Sequence, residues 1–101
     1  MRYTRISTYE IMSGTFDELT GITEKGVLRT FESLPGFLNF GLADIGDRKV
    51  VSISIWETRE AAEKSALVAA SWVKDNIADR VRLVTGHVGS LALFHGVPAA
   101  A

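Results

Sequence analysis

Two histidines are the side chains best suited to proton transfer in this sequence. His87 lies within a strand-like run and could serve as a weak general base. A hydrogen-bonded structural histidine at an interface between subunits is the other interpretation. His95 follows eight residues later, about 26 Å away along an extended strand. The two histidines of one chain therefore cannot share a metal ion. We expect no metal site, since Glu57, Glu60 and Glu63 have the spacing of a solvated helix face.

The two tryptophans are the candidates for contact with an aromatic ligand. Trp56 ends the strand-like run Val50–Ile55 and is followed at once by a helical segment, a position where α/β folds tend to hold pockets. It could stack against a flat ring. Trp72 lies late in the same helical segment. Either residue could instead fill the core, because tryptophan is highly buried on average.

Other kinds of chemistry lack the residues they need. The chain has no cysteine, which excludes disulfides, thiol catalysis and thiolate metal sites. No serine lies in a nucleophile-elbow context. Gly86 and Gly89 fall inside a predicted strand and cannot form a phosphate-binding loop. The sequence therefore predicts no flavin, nicotinamide or other cofactor.

The charge and the hydropathy favour a small soluble protein. Eleven basic residues and 12 acidic residues give a net charge of −1 among 101 residues, so no long-range field favours nucleic acid or an anionic membrane. No stretch approaches the ~20 apolar residues of a membrane span, and the N-terminus does not resemble a signal peptide. We expect a cytoplasmic protein that binds neither nucleic acid nor membrane.

The periodicity predicts one α+β domain over residues 1–96, with a flexible C-terminal tail over residues 97–101. The order of elements is β-α-β-β-α-β, which is the ferredoxin-like fold, a four-stranded antiparallel sheet with two helices on one face. Gly21 and Gly26 predict a late start or a bend in the first helix, and Thr58 is the expected N-cap of the second. The predicted strands are Arg5–Ile11, Phe37–Ala43, Lys49–Trp56 and Arg82–Phe94.

Both faces of this sheet carry apolar side chains. In the third strand Val51, Ile53 and Ile55 point one way, and Ser52, Ser54 and Trp56 point the other way. Two helices can cover only one face, and an open face in water would show polar alternation. We therefore expect a homodimer formed through the sheet face. The alanines of the second helix either let it pack close to the sheet or leave room for a ligand.

Several motifs resemble the antibiotic-biosynthesis-monooxygenase-like domains of the dimeric α/β-barrel superfamily. They are Leu34-Pro35-Gly36-Phe37, Ser54-Ile55-Trp56-Glu57-Thr58-Arg59-Glu60-Ala61-Ala62, Trp72-Val73 and Gly86-His87-Val88. The resemblance covers roughly residues 3 to 94 and implies a ferredoxin-like subunit that pairs into a dimeric α/β barrel. Members include cofactor-independent monooxygenases of polycyclic phenols, heme-degrading enzymes, quinol-directed oxygenases and proteins without known activity.

The resemblance also supplies expectations for site residues. The heme-degrading branch has a histidine on the second helix, and the stretch Lys64–Trp72 contains none. The phenol-oxidising branch is thought to use an asparagine, a tryptophan and a tyrosine around its substrate. Asn39, Trp56 or Trp72, and Tyr9 supply these residue types.

Two functions therefore stay open. In the first, a cofactor-independent monooxygenase holds a small aromatic or hydroquinone-like substrate between sheet and helices, and a base such as His87 deprotonates it for direct reaction with oxygen. His87 and Asn39 would be catalytic, and Trp56, Trp72 and Ser54 would contact the substrate. In the second, the protein is a non-catalytic dimer that binds a small ligand or acts in a stress response.

Overall fold

The computed structural model describes residues 1–95, which form a four-stranded antiparallel sheet with helices packed against it. The strand order is β2-β3-β1-β4, so the α+β class and the ferredoxin-like arrangement are confirmed. The predicted tail over residues 97–101 lies outside the described residues. The elements are β1 (Arg2–Ile11), α1 (Phe16–Lys25), α2 (Val27–Glu32), β2 (Phe37–Gly46), β3 (Lys49–Trp56), α3 (Arg59–Asn76) and β4 (Val81–Leu91).

The first helical segment begins without delay and breaks once, at Gly26. Thr15 forms a capping box with Glu18, in which each side chain accepts the other residue's backbone N–H. The capping box gives hydrogen-bond acceptors to backbone N–H groups that the start of a helix leaves free, so α1 begins at Phe16. Gly21 is accommodated within α1, whereas Gly26 separates α1 from α2. The break faces the indole of Trp72, which lies where a Cβ on Gly26 would be.

The end of β4 and the turn between β2 and β3 are set by the pairing of neighbouring strands. β4 ends at Leu91, three residues before the predicted end at Phe94. Leu91 pairs with Arg2, the first residue of β1, and beyond it the neighbouring strand offers no hydrogen-bonding partners. β2 and β3 are joined by Asp47 and Arg48, both with positive φ (53° and 57°). This is the geometry of a two-residue type I′ hairpin.

The covered face of the sheet holds two apolar clusters. At one end Ile11, Leu19, Val50, Ile77 and Val81 pack together, and at the other Val27, Phe31, Trp56, Ala62 and Ala69 do so. The indole of Trp72 packs against both clusters. Thr58 accepts a hydrogen bond from the backbone N–H of Ala61 at 3.0 Å, which confirms it as the N-cap of α3.

The opposite face of the sheet is open within one chain. Ile6 of β1 pairs with Ile53 of β3, and these side chains are 37% and 38% exposed. Directly paired residues in antiparallel strands point to the same face, so the two isoleucines form an apolar surface there. None of the helices within residues 1–95 has the length and hydropathy needed to cross a membrane.

Candidate functional site

A buried arginine lies at the centre of the covered face. Arg5 of β1 is 2% exposed, and its guanidinium donates hydrogen bonds to three serine hydroxyls on the same face of the sheet. The Nε–H reaches Ser54 Oγ at 3.2 Å, Nη1 reaches Ser7 Oγ at 2.8 Å and Nη2 reaches Ser52 Oγ at 2.6 Å. We call Ser7, Ser52 and Ser54 the serine cluster.

Among residues 1–95 no carboxylate lies within 4.0 Å of the Arg5 guanidinium to balance its positive charge. Within residues 1–95 the salt bridge is that of Arg82 with Glu10, at 2.6 Å on the surface. Burial lowers the pKa of Arg5 from its ordinary value, and the neighbouring Tyr9 hydroxyl offsets part of this shift. The guanidinium carbon also lies 5.4 Å from the centroid of the Phe31 ring, a distance at which a cation is attracted to the ring face.

Two spaces adjoin this arginine. One is a cavity of about 40 Å³ bordered by Arg5, Tyr9 and Trp72 among others, large enough for water but not for an organic ligand. The other is an open groove of about 460 Å³ between α3 and strands β1 and β4, within the size range of small-molecule sites. We call it the groove. Its lining is Arg5, Ser7, Tyr9, Ala66, Ala70, Val73, Lys74, Ala78, Val81, Leu83, Gly86, His87 and Val88.

The alanine stripe of α3 serves two purposes. Ala62 and Ala69 are buried in the apolar cluster around Trp56, so there the small side chains allow close packing. Ala66 and Ala70 border the groove, so there they leave space.

Three of the sequence-predicted site residues lie on the covered face, and they are bound into the core. Trp56 is fully buried and makes edge-to-face contacts with Phe31 and Phe37 at centroid distances of 5.3 and 5.4 Å. Its Nε1–H donates to Ser54 Oγ at 2.8 Å. Trp72 borders the cavity. Trp56 and Ser54 border neither the cavity nor the groove.

The other two predicted site residues lie on the open face. Asn39 pairs with Ile55, and His87 pairs with Ile6. Ile55 is next to Ser54 in β3 and Ile6 is next to Arg5 in β1, so both isoleucines point to the face opposite the serine cluster. Directly paired residues share a face, so the side chains of Asn39 and His87 also point away from the serine cluster. They occupy the two edge strands, three strand spacings or about 14 Å apart. The expected common lining of all five residues is therefore not formed within one chain, although His87 borders the rim of the groove.

Arg5 is the residue that the sequence reasoning missed. A weak signal was present, because Arg5, Ser7 and Tyr9 alternate with Thr4, Ile6 and Thr8 along β1. This pattern gives β1 one polar face, and a polar face normally points to water. The structure instead places it beneath the helices, against Ser52 and Ser54 of β3.

No described residues form an obvious metal site. Within residues 1–95 there is no group of three or more histidine, cysteine, aspartate or glutamate side chains placed to hold a metal ion.

Comparison with known proteins adds information on the fold. No protein-family model matches the sequence, and no curated protein matches it. Known structures do match. SnoaB, a cofactor-independent oxygenase from Streptomyces nogalater, superimposes with a TM-score of 0.69 at 15% identity, covering 92% of this chain and 95% of that chain.

Two further structures give the same picture. The heme-degrading protein Rv3592 from Mycobacterium tuberculosis has a TM-score of 0.64 at 23% identity, covering 95% of this chain and 100% of that chain. A candidate antibiotic biosynthesis monooxygenase from Chloroflexus aurantiacus has a TM-score of 0.64 at 21% identity, with 97% and 100% covered. The chain therefore has the fold of the antibiotic-biosynthesis-monooxygenase-like domains, as the sequence motifs predicted.

Proposed function

We propose that this protein is a cofactor-independent monooxygenase that binds a small aromatic or hydroquinone-like substrate in the groove. The observation that carries the proposal is the groove itself, about 460 Å³ in volume and lined by the small side chains of Ala66 and Ala70 opposite Gly86 and Val88. Such a slot suits a flat ring. The fold shared with SnoaB, a cofactor-independent oxygenase, supports the choice of chemistry.

The proposed reaction uses molecular oxygen as its oxidant. The phenolic proton of the substrate passes to water at the open mouth of the groove, because the side chain of His87 points to the opposite face of the sheet. The predicted role of His87 as the base is therefore not part of this proposal. A hydrogen-bearing ring carbon of the phenolate then gains one atom of O₂, and the other oxygen leaves as water with the ring hydrogen and the phenolic proton. The ring gives up four electrons and becomes a quinone. The protein contributes orientation and a water-poor cavity.

The other predicted residues have more limited parts in this proposal. Asn39 does not border the groove, so its predicted catalytic role has no place here. Trp56 and Ser54 hold the sheet and Arg5 in position through their buried hydrogen bonds. Trp72 borders the cavity and packs against both apolar clusters.

The test is oxygen uptake with a planar polycyclic hydroquinone, measured on a pair of variants of α3. Ala70→Trp fills the groove, whereas Leu67→Trp adds the same ring at a position of that helix that is 74% exposed and outside the groove. We expect Ala70→Trp to lose at least about tenfold in kcat/KM, because the substrate is excluded. Leu67→Trp should retain wild-type activity.

A parallel loss in both variants, or none in Ala70→Trp, would refute the groove as the site. His87→Ala is the second arm, and we expect it to retain wild-type turnover because that side chain points away from the groove. A loss of about 10²-fold or more in His87→Ala would instead show that His87 acts as the base.

A non-catalytic ligand-binding protein is the second candidate. It is favoured by one observation, the engagement of Ser54 and Trp56 in buried hydrogen bonds, which removes them from the chemistry. This candidate predicts saturable binding of the hydroquinone under anaerobic conditions and no oxygen uptake in air. Oxygen uptake with matching quinone formation would exclude it.

We further propose that the protein is a homodimer formed through the open face of the sheet. The support is the apolar surface around Ile6 and Ile53, which helices of the same chain do not cover. A second copy would present the same surface in a two-fold arrangement. Dimerisation would also bury apolar area that a domain of this size otherwise leaves in water.

A further inference from the structure

Arg5 is a buried charge with more hydrogen-bonding capacity than its neighbours use. A guanidinium has five N–H donors, and the serine cluster accepts three hydrogen bonds from it, one from each nitrogen. Each of these serines acts as the acceptor, so its own hydroxyl proton can be directed to another group. The arrangement is rich in donors.

A purely structural role explains this arrangement poorly. Removing a cation from water costs several kcal/mol even after relaxation, and an apolar side chain of similar volume is often as stable or more so. Among residues 1–95 no carboxylate is within salt-bridge distance to offset that cost for Arg5. A bound anion from outside the chain would offset the cost of burying the Arg5 guanidinium.

The charged side chains among the described residues that line the groove are both cationic. They are Arg5 and Lys74 of α3, and no aspartate or glutamate within residues 1–95 borders the groove. The chain as a whole carries a net charge of −1, so this local balance is opposite to that of the protein. The two cations lie beside apolar walls made by Ala66, Ala70 and Val88.

We propose that the groove binds a planar aromatic oxyanion, a ring-bound carboxylate or phenolate whose oxygens accept hydrogen bonds from Arg5. The ring lies between α3 and β4, and Lys74 attracts the anion toward the groove. This assignment rests on the same groove as the proposed function, but not on oxygen chemistry. It names the ligand class whether or not turnover follows.

The test compares ligands on the wild-type protein and needs no variant. Calorimetric titrations under anaerobic conditions use 2-naphthoate, 2-naphthamide and the ionised form of 4-nitro-1-naphthol. The first two probes differ in charge but hardly in shape. We expect at least one oxyanion to bind at least about tenfold more tightly than the neutral amide, because it gains charge-assisted hydrogen bonds. A smaller preference, or no binding of any probe, overturns the proposal.

The three probes also identify the source of the negative charge. Preference for 2-naphthoate indicates a carboxylate ligand, and preference for the nitronaphtholate indicates a phenolate.

Variants locate the site. Arg5→Met should remove the preference for the oxyanion while leaving the amide affinity within about threefold, since only a charged contact is lost. If Arg5→Met does not fold, the wild-type comparison still decides. Ala70→Trp should abolish binding of every probe and Leu67→Trp should not. Unchanged oxyanion binding by Ala70→Trp overturns the assignment to the groove.

Failure of this inference is distinct from failure of the proposed function. Oxyanion-selective binding without oxygen uptake from any bound phenolate refutes the monooxygenase and leaves the anion site intact. Oxygen uptake with a hydroquinone that is blocked by Ala70→Trp, but without selectivity for oxyanions, refutes the anion site alone.

Discussion

Alanine at position 26 offers the sharpest test of how the helices are packed. A Cβ on Gly26 would lie 2.7 Å from Cε2 of Trp72, 2.8 Å from Nε1 and closer still to Cζ2. Carbon atoms in contact are ordinarily about 3.5–4.0 Å apart, so the indole must move by about 1 Å. Trp72 packs against both apolar clusters, and it therefore cannot move without disturbing each of them.

The expected cost of Gly26→Ala follows from this overlap. Overpacking of a well-packed core costs about 1–3 kcal/mol, and the double contact of Trp72 favours the upper half of that range. Gly26 lies between α1 and α2 and outside both helices, so the preference of a helix interior for alanine over glycine does not offset this cost. We expect a net loss of about 2 kcal/mol in the free energy of unfolding, or about 8–16 °C in Tm for a domain of this size.

Gly21→Ala is the matched control. Gly21 also lies in the first helical segment, and no atom is within 4 Å of a Cβ built on it. Alanine there should raise the free energy of unfolding by about 1 kcal/mol. The two substitutions are chemically the same and should change stability in opposite directions.

The assay is urea and thermal unfolding followed by circular dichroism at one fixed protein concentration. A double-mutant cycle with Trp72→Leu checks the cause, because the cost of Gly26→Ala should fall by more than half when the indole is absent. If Gly26→Ala stabilised the protein as Gly21→Ala does, the close approach of Trp72 would be refuted. An undiminished cost in the Trp72→Leu background would refute the indole as its cause.

Three further predictions follow from other contacts. Ser54→Ala should destabilise the fold by about 1–3 kcal/mol, because two buried donors lose their acceptor. Urea unfolding measures this loss, and the exposed Ser90→Ala serves as its control. Ile53→Lys should convert the proposed dimer to monomer in light scattering at micromolar concentration, since a charge would be buried at the interface. A monomeric wild type would contradict the dimer directly. The hydrogen bond and the charge of Arg82 lower the pKa of Glu10 below its ordinary value of 4.5. The small stabilisation from this exposed pair should be present above pH 4.5 and lost as the pH falls through the lowered pKa. Unfolding of wild type and Glu10→Gln across this range should converge at the acid end, and a constant difference would contradict the pairing.

The sequence by itself determined the order of elements and several of their boundaries. Thr58 was predicted as a cap because its hydroxyl can satisfy backbone N–H groups of the turn that follows it, and the structure shows that hydrogen bond. The predicted strands Phe37–Ala43 and Lys49–Trp56 leave a short connection between them, and the two-residue turn Asp47–Arg48 lies within it. These features depend on residues that are neighbours in the chain, so local chemistry is enough to predict them.

Tertiary structure alone decided which residues share a face. Alternation within one strand fixed that Ser54 and Trp56 point the same way, but it could not relate them to His87 on another strand. That relation depends on the pairing register, in which His87 lies opposite Ile6 and Arg5 lies opposite Ser54. It also depends on which face the helices cover. The burial of Arg5 follows from both choices, because its guanidinium can donate to Ser52 and Ser54, distant in sequence, only when β1 and β3 pair in this register.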